Sequence, residues 1–497
     1  MHIKKLKKIP VYLGILYLVL PFLIFIGGWT KLYISVPAIL VVIFCTWKVC
    51  KDIPELWMPA WNRDNFIKIL FIIGVLAIWV YYSGIGKFVF QNTDHTARNR
   101  IFDMLVQYEW PIKSNKLLTN LEGQTGRYGM IYYIGFWLPS AIIGKLFGLR
   151  IGYYFQAVWA LLGLVLIYYL MCSRWKQIKV WPVFVLIFFS GLDIVGAYIT
   201  NMDYVNSPII WHLEWWSTPY QYSSMTTQLF WVFNQAIPIW LATMLSYIQK
   251  NNRNLVFILA CCMLTSTLPF IGFFSITIFL CLSRKEQSID TTKKTLKQRV
   301  LFLIKDTCTI QNVLGGGVIG ILSFCYLSGN LSGAHVMAKN ALGPKYDNSI
   351  AKYVLFIILD LGIYVVLLYK YQKEQTLYYF VVANLLIIPW IKIGASGDFC
   401  MRASIPGLFL IMIWVIDAIS KAWEDKIYVL FAGLIITLLI GSVTPIFEMR
   451  RTFTETFQRL DHGEIVYADE DSEKHIFRSP NFSGDIEKSF FYKYMAK

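Results

Sequence analysis

Long apolar segments recur along almost the whole of this chain, and they constrain its fold more than any other feature. Runs of roughly 20 residues, the length that spans the hydrocarbon core of a bilayer, alternate with short polar segments. The backbone hydrogen bonds of a segment in lipid have to be satisfied within that segment, which favours α-helices. We therefore predict an all-α polytopic membrane protein with about 13 transmembrane helices. The predicted spans are residues 10–28, 32–50, 66–85, 151–172, 180–199, 229–248, 255–267, 268–282, 307–327, 354–369, 376–394, 404–420 and 427–444.

The composition agrees with this fold class. Hydrophobic residues make up 57% of the chain and charged residues only 15%, whereas soluble domains carry about 25% charged residues. The net charge of +16 would suit a nucleic-acid-binding protein, but the Lys and Arg residues lie mostly in short loops between apolar segments. That distribution follows the positive-inside rule. We therefore expect the basic loops to contact membrane lipids and predict no nucleic-acid partner.

The basic loops also predict the orientation of the chain. They place the N-terminus in the cytoplasm and the C-terminus outside it, and the segment 200–228, which has no Lys or Arg, lies outside. Residues 130–147 are predicted to be interfacial or re-entrant, because only an odd number of crossings fits between their flanking loops. The predicted division is an N-terminal hairpin with its cytoplasmic loop (1–65), a core (66–445) with outer loops 86–129, 200–228, 328–353 and 394–403, and a short outer tail (446–497) that begins with an amphipathic helix over 446–460.

The first predicted outer loop places several ionisable residues at the start of an amphipathic helix. Asp94, close to the membrane exit, is a candidate general base for an incoming hydroxyl group, and His95 is a candidate beside it. Arg98 and Arg100 are candidate phosphate ligands, and Asp103 is a further candidate for substrate binding. The same pattern fits a structural helix in which Asp94 is the N-cap and Arg100 pairs with Asp103.

A later outer loop combines aromatic and ionisable residues. His212, Glu214, Trp215 and Trp216 lie within five positions of one another, without a neighbouring Lys or Arg. Aromatic faces with a few polar groups suit a sugar or a lipid headgroup, so these residues are candidates for substrate binding. Tryptophans at a membrane boundary also form the ordinary aromatic belt, which is the alternative interpretation.

The segment 394–403 supplies a second candidate anion-binding position. Arg402 lies near the start of a predicted span, where a charged side chain is costly unless it is paired or bound to an anion. It is a candidate ligand of a lipid phosphate, together with Asp398. The alternative is a local ion pair between Asp398 and Arg402, which are four residues apart on a helix.

The chain resembles the GT-C superfamily of integral membrane glycosyltransferases in its general plan. It has many spans, a long first polar outer loop that opens with an acidic residue and an amphipathic helix, and then the run from Tyr132 to Gly148, which ends in Lys-Leu-Phe-Gly. The resemblance covers about residues 66–330 and implies sugar transfer from a polyprenyl-phosphate carrier outside the cytoplasm. It also implies that Asp94 acts as base or metal ligand.

What the resemblance implies for function follows from that reaction. The partners would be a lipid-linked sugar donor, a glycan or lipid acceptor and membrane lipids, and the location would be a bacterial inner membrane. The superfamily often has a second acidic residue in this loop, where the present chain has Asp94-His95, so the sequence supports no firm metal or cofactor assignment, and a divalent metal ion stays an open alternative. The two rival hypotheses are a flippase or transporter of a lipid-linked glycan, which would use Asp193, Asp360 or Asp417, and a polysaccharide polymerase or ligase.

Overall fold

The computed structural model describes residues 8–202, 212–284, 296–330, 349–393, 397–461 and 472–497. Parts of several predicted segments lie outside the described residues: the start of 1–65, residues 203–211 of the loop 200–228, residues 331–348 of the loop 328–353, residues 394–396 of the segment 394–403 and residues 462–471 of the tail. The α-helices of the described part are α1 (Ile9–Trp29), α2 (Leu32–Asp52), α3 (Arg63–Tyr82), α4 (Thr93–Gln107), α5 (Leu138–Phe147), α6 (Leu149–Trp175), α7 (Pro182–Phe188), α8 (Asp193–Ile199), α9 (Met225–Ile248), α10 (Leu255–Cys261), α11 (Thr267–Ser283), α12 (Leu296–Thr307), α13 (Gly316–Leu327), α14 (Ile350–Ile357), α15 (Ile363–Gln372), α16 (Thr376–Ile387), α17 (Asp398–Ala403), α18 (Ile405–Glu424), α19 (Tyr428–Gly441), α20 (Val443–Asp461) and α21 (Ser472–Arg478).

The protein is an all-α polytopic membrane protein. Within the described residues, ten helical segments are long and apolar enough to cross a membrane, and three shorter apolar helices accompany them. The predicted number of about 13 stays a prediction. The predicted span 255–267 contains only the seven-residue helix α10. The ten segments are Ile9–Trp29, Leu32–Asp52, Arg63–Tyr82, Leu149–Trp175, Pro182–Ile199, Met225–Ile248, Gln311–Asn330, Ile350–Gln372, Ile405–Glu424 and Tyr428–Gln458.

Two helices form the centre of the bundle. Nearly every side chain of α9 is buried, and α18 is buried over most of its length. Both helices are apolar around most of their circumference, as expected for helices that other helices surround. In contrast, α2 and α3 bury few residues and expose many large apolar side chains. That exposure is the signature of helices that face lipid.

The polar segments contact one another, and we call them together the polar-loop end. It carries α4, the short strands β1 (Leu118–Thr119), β2 (Thr125–Gly126) and β3 (Tyr128–Met130), the loop 212–224, α17 and the tail. Strand β3 pairs antiparallel with β4 (Ser483–Asp485), with Tyr128 opposite Asp485. The first outer loop and the tail are therefore one folded unit.

The tail contributes to the core as well as to the surface. Phe491 is fully buried, and its ring centroid lies 5.7 Å from that of Phe25 in α1 and 5.2 Å from that of Tyr326 in α13. The helix predicted over 446–460 is present as α20, which begins at Val443. The predicted boundary at 445/446 thus falls inside a helix.

Candidate functional site

Helix α4 begins with a cap that differs from the predicted one. The side chain of Asn92 accepts a hydrogen bond from the backbone N–H of Asp94, 3.1 Å away, as helix N-caps do. The predicted N-cap role of Asp94 is therefore wrong, because Asn92 occupies that position. The buried face of α4 includes Ile101, Met104 and Leu105, and their helical spacing holds the helix against the bundle.

Asp94 forms an ion pair with an arginine on its own helix. Oδ2 of Asp94 lies 2.8 Å from Nη2 of Arg98, one turn further along. The Asp94 side chain is 38% exposed, whereas the Arg98 side chain is only 5% exposed. The carboxylate is therefore accessible from the polar-loop end, while the guanidinium group lies beneath it.

A second arginine reaches the same place from α17. Nη2 of Arg402 lies 3.3 Å from Oδ1 of Asp398, so the predicted local pair is present. Nη1 of Arg402 also donates to the hydroxyl oxygen of Tyr133, 3.1 Å away. The ring of Tyr133 lies against that of Tyr132, with 3.7 Å between the centroids. We call Asp94, Arg98, Tyr132, Tyr133, Asp398 and Arg402 the Asp94 cluster.

The cluster offers more hydrogen-bond donors than its own acceptors use. Nε and Nη1 of Arg98 and Nε of Arg402 are buried and have no hydrogen-bond partner among the described residues. The same holds for the indole Nε1 of Trp137, whose ring lies 6.3 Å from that of Tyr132. Buried donors ordinarily have partners. A set of buried N–H groups on two cations suits a phosphate or another oxyanion.

The two arginines also set the ionisation of Asp94. Burial opposes the charged carboxylate, but the charges of Arg98 and Arg402 outweigh that effect and hold the pKa of Asp94 below its ordinary value. Asp94 is therefore ionised at neutral pH, as a general base has to be. Burial raises the pKa of the Tyr132 hydroxyl, and the positive charges of Arg98 and Arg402 oppose that rise.

His95 points away from the exposed side of the cluster. Its Nε2 lies 2.9 Å from the backbone oxygen of Phe230, and its Nδ1 lies 3.3 Å from Nε2 of Gln91. These contacts assign a neutral ring that donates from Nε2 and accepts at Nδ1. Burial and the charge of Arg98 lower the pKa of His95 to about 4. The geometry suits a residue that fixes α4 to α9. The contact with Phe230 lies two residues before Val232, where the backbone of α9 is non-helical.

The remaining candidates of α4 lie on its other side. Successive residues of an α-helix are rotated by about 100°, so Asp103 lies opposite Asp94 and Arg100 lies about 120° away from it. Oδ1 of Asp103 accepts a hydrogen bond from the hydroxyl group of Tyr153, 2.5 Å away in α6. Asp103 is thus part of the contact between α4 and α6.

The residues around His212 form a separate buried network. Nδ1 of His212 lies 2.8 Å from Oε1 of Glu448, and its Nε2 lies 3.3 Å from Oε2 of Glu214. Nε1 of Trp231 donates to Oε2 of Glu448 over 2.7 Å, and Arg451 pairs with the same carboxylate. Burial disfavours the charged imidazole, but the carboxylates of Glu448 and Glu214 outweigh it and raise the pKa of His212 to about 10. Nε2 of Gln221 donates to Oε2 of Glu214 over 2.8 Å. We call these six residues the His212 cluster.

The two tryptophans of this loop have different surroundings. Trp215 is 43% exposed, so its ring is available to a ligand or to lipid. Trp216 is buried and donates from Nε1 to Oδ1 of Asp193, 3.1 Å away. The loop touches α17 where the backbone oxygen of Gln221 accepts from Sγ of Cys400 at 3.4 Å. The His212 cluster therefore supports α17 from outside the Asp94 cluster.

Several residues of both clusters were not among the predicted site residues. Tyr132 and Tyr133 lie in the run that carried the resemblance, and two adjacent tyrosines before an apolar helix were the available signal. Glu448 was a charged residue in the amphipathic segment of the tail, without any local indication of its partner. Its role depends on the contact between α20 and the loop 212–224, which no local pattern encodes.

Neither the possible metal ligands nor a comparison with known proteins assigns a function to the two clusters. Within the described residues, no group of three or more His, Cys, Asp or Glu side chains is arranged to hold a metal ion. All nine cysteines are free thiols. No protein-family model matches the chain, and neither a curated protein nor a solved structure matches it.

Proposed function

We propose that this protein is a membrane glycosyltransferase that moves a sugar from a polyprenyl-phosphate-linked donor to an envelope glycan or lipid acceptor. The reaction would take place at the polar-loop end, on the extracytoplasmic side of a bacterial inner membrane. The resemblance to the GT-C superfamily and the Asp94 cluster both support this proposal. The donor, the acceptor and membrane lipids are its expected partners.

The observation that carries the proposal is the convergence of Arg98 and Arg402 beside Asp94. The two arginines come from helices far apart in the sequence, and three of their buried N–H groups lack a partner among the described residues. A phosphate group needs several such donors, and arginine presents them in the appropriate geometry. An ionised carboxylate next to a phosphate-binding site is the arrangement that transfer from a phosphate-linked sugar requires.

The step follows from these positions. An acceptor hydroxyl group attacks the anomeric carbon of the donor sugar, and its proton passes to Asp94. The bond between the anomeric carbon and the phosphate oxygen breaks at the same time, so the sugar changes its anomeric configuration. The electron pair of that bond stays on the polyprenyl phosphate, whose added negative charge Arg98 and Arg402 stabilise. Asp398 would hold Arg402 in place.

The proposal is tested by transfer of labelled sugar from synthetic polyprenyl-phosphate donors to extracted lipids and glycans. The wild-type protein and Glu109→Gln, which changes an exposed carboxylate of the same loop, should both transfer sugar. Asp94→Asn should lose at least about 100-fold of the rate, the contribution of a general base, while its thermal unfolding stays cooperative. Full transfer by Asp94→Asn would refute the assignment of the base.

A specific observation keeps transport as a second candidate function. Asp360 is buried, and neither of its carboxyl oxygens has a partner among the described residues. It lies in a π-helical turn, Ile358–Gly362, opposite Gly191 in the break between α7 and α8. Broken helices with a buried acidic residue are common at the binding sites of transporters.

The transport hypothesis has its own test. Flipping of a fluorescent lipid-linked glycan in proteoliposomes should be abolished by Asp360→Asn and unaffected by Glu424→Gln, which changes an exposed residue of α18. Equal flipping rates for wild type, Asp360→Asn and protein-free liposomes would exclude transport through this site. Sugar transfer that persists in Asp360→Asn would agree with the glycosyltransferase.

A further inference from the structure

The turn between α1 and α2 is covered by residues 493–497 of the tail, which we call the tail segment. The backbone N–H of Lys31 donates to the oxygen of Met495 over 3.0 Å, and the N–H of Lys497 donates to the oxygen of Trp29 over 3.1 Å. Because α1 and α2 are both long and apolar enough to cross a membrane, the short turn between them lies at a membrane surface. The tail segment therefore lies at the level of the lipid headgroups.

Three lysine ammonium groups lie at the tail segment. Nζ of Lys31 donates to the backbone oxygen of Tyr494 over 3.4 Å, and Nζ of Lys113 donates to that of Lys497. Lys493 belongs to the segment itself, and its side chain is exposed. Among the described residues, none of these three lysines forms an ion pair. An ammonium group has three N–H donors, so Lys31 and Lys113 keep donors for a ligand after their bonds to the backbone.

Positive charge is in excess around the tail segment. Lys113 and Lys493 line one surface depression together with Arg127, and Glu487 is the single carboxylate among its lining residues. Burial and the positive charge of Lys31 lower the pKa of Lys113, so a neighbouring anion would favour the protonated form of Lys113. A surface with this charge attracts an anionic group.

The lysines border a helix face that is exposed to lipid. Leu32, the first residue of α2, is 72% exposed. Exposed apolar side chains then follow at intervals of three or four residues, so they form one stripe along the helix. The stripe consists of Leu32, Val36, Leu40, Ile43, Phe44 and Trp47. The hydroxyl group of Tyr33 donates over 3.1 Å to the backbone oxygen of Tyr494 that also binds Lys31. The cations are therefore continuous with the start of the apolar stripe.

The tail contributes exposed aromatic rings at the same level. Phe490 and Tyr494 are each about half-exposed, and their ring centroids lie 5.1 Å apart. Nζ of Lys493 lies 5.3 Å from the centroid of the Tyr494 ring. Aromatic rings with a polar group nearby are typical of the boundary between the hydrocarbon core and the headgroups. This composition indicates that the surface faces the membrane.

We propose that the turn between α1 and α2 and the tail segment together bind an anionic diacyl phospholipid of the phosphatidylglycerol type. The ammonium groups of Lys31, Lys113 and Lys493 bind the phosphate, and an acyl chain lies along the apolar stripe of α2. A phospholipid uses both the cations and the stripe, whereas a soluble anion or a glycan would use only the cations. The bound lipid stabilises the contact between the hairpin and the tail. This inference does not rest on the proposed function.

The test is titration of the purified full-length protein in detergent with phosphatidylglycerol, with bound lipid counted by native mass spectrometry. Lys31→Gln/Lys493→Gln should bind at least about tenfold more weakly than the wild type, as expected for the loss of one charge-assisted hydrogen bond. Lys488→Gln, whose ammonium group pairs with Asp485, should bind as the wild type does. Phosphatidylcholine, which has no net charge, should bind equally to the wild type and the double variant.

A second variant and two competitors complete the experiment. Lys493→Glu changes a side chain whose recorded contact is with the Tyr494 ring, so it should keep cooperative unfolding and still bind phosphatidylglycerol more weakly. Phosphatidylglycerol should raise the melting temperature of the wild type more than that of either variant. Equal affinities of the wild type and Lys493→Glu would overturn the inference. Displacement of the lipid by glycerol phosphate or by oligogalacturonate would overturn it in favour of a soluble anion or a glycan.

Discussion

Arg402 donates a hydrogen bond of 3.1 Å to the hydroxyl oxygen of Tyr133, although 269 residues separate them. This contact connects α17 to the segment after β3. It orients the guanidinium group of Arg402 toward the side of the cluster where Arg98 and Asp94 lie. The bond joins a charged donor to a neutral acceptor, a class of interaction that contributes about 1.5–3 kcal/mol.

Replacement of Tyr133 by Phe should weaken donor binding more than the chemical step. Without the hydroxyl group Arg402 loses an orienting partner, so we expect the KM for a polyprenyl-phosphate sugar to rise about tenfold and kcat to change little. Tyr494→Phe, which removes a hydroxyl from the half-exposed ring of the tail, is the matched control. An unchanged KM for Tyr133→Phe would show that this hydrogen bond does not position Arg402 for the donor.

Replacement of Gly272 by Ala should displace α17. An ideal Cβ atom at Gly272 in α11 would lie 1.9 Å from the backbone oxygen of Ala403, next to Arg402. Backbone cannot yield as a flexible side chain does, so we expect a destabilisation of about 1–3 kcal/mol and a loss of sugar transfer. Gly317→Ala has open space in α13 and should be neutral or slightly stabilising. Identical melting temperatures for the two variants would contradict this packing.

The His212 cluster should make the protein less stable at alkaline pH. Because the pKa of His212 is raised from 6.5 to about 10, its protonation stabilises the folded state. That contribution is complete below the unfolded pKa of 6.5 and is lost as the pH rises through about 10. The melting temperature of the wild type should therefore fall over this range. In His212→Gln it should be lower at neutral pH and fall less steeply, and parallel pH profiles would argue against a charged His212.

The tail should be necessary for stability. Phe491 is fully buried between Phe25 and Tyr326, and truncation of a core phenylalanine to alanine costs about 3–5 kcal/mol. Phe491→Ala should therefore lower the melting temperature clearly. Phe490→Ala removes the same side chain from a position that is 56% exposed and should have a much smaller effect. Similar shifts for both variants would mean that the tail does not pack as described.

The sequence alone determined the class of the fold and the local elements of the site. Apolar runs such as 10–28 and 151–172 have the length and composition of membrane helices, so α1 and α6 were predictable from local information. The amphipathic spacing after Asp94 likewise predicted α4, and the spacing of Asp398 and Arg402 gave their ion pair as one of two alternatives. These features depend on residues within one or two helical turns of each other.

Only the tertiary structure decided which of these residues share a site. It placed Arg402 beside Tyr133, buried His212 against Glu448, and turned Asp103 toward Tyr153. It also paired β3 with β4 and buried Phe491, so that the tail completes the first outer loop. The physical reason is that such contacts depend on how whole helices pack against each other. Helical periodicity and charge patterns determine the surface of each segment, whereas the partner of that surface depends on the arrangement of the entire bundle.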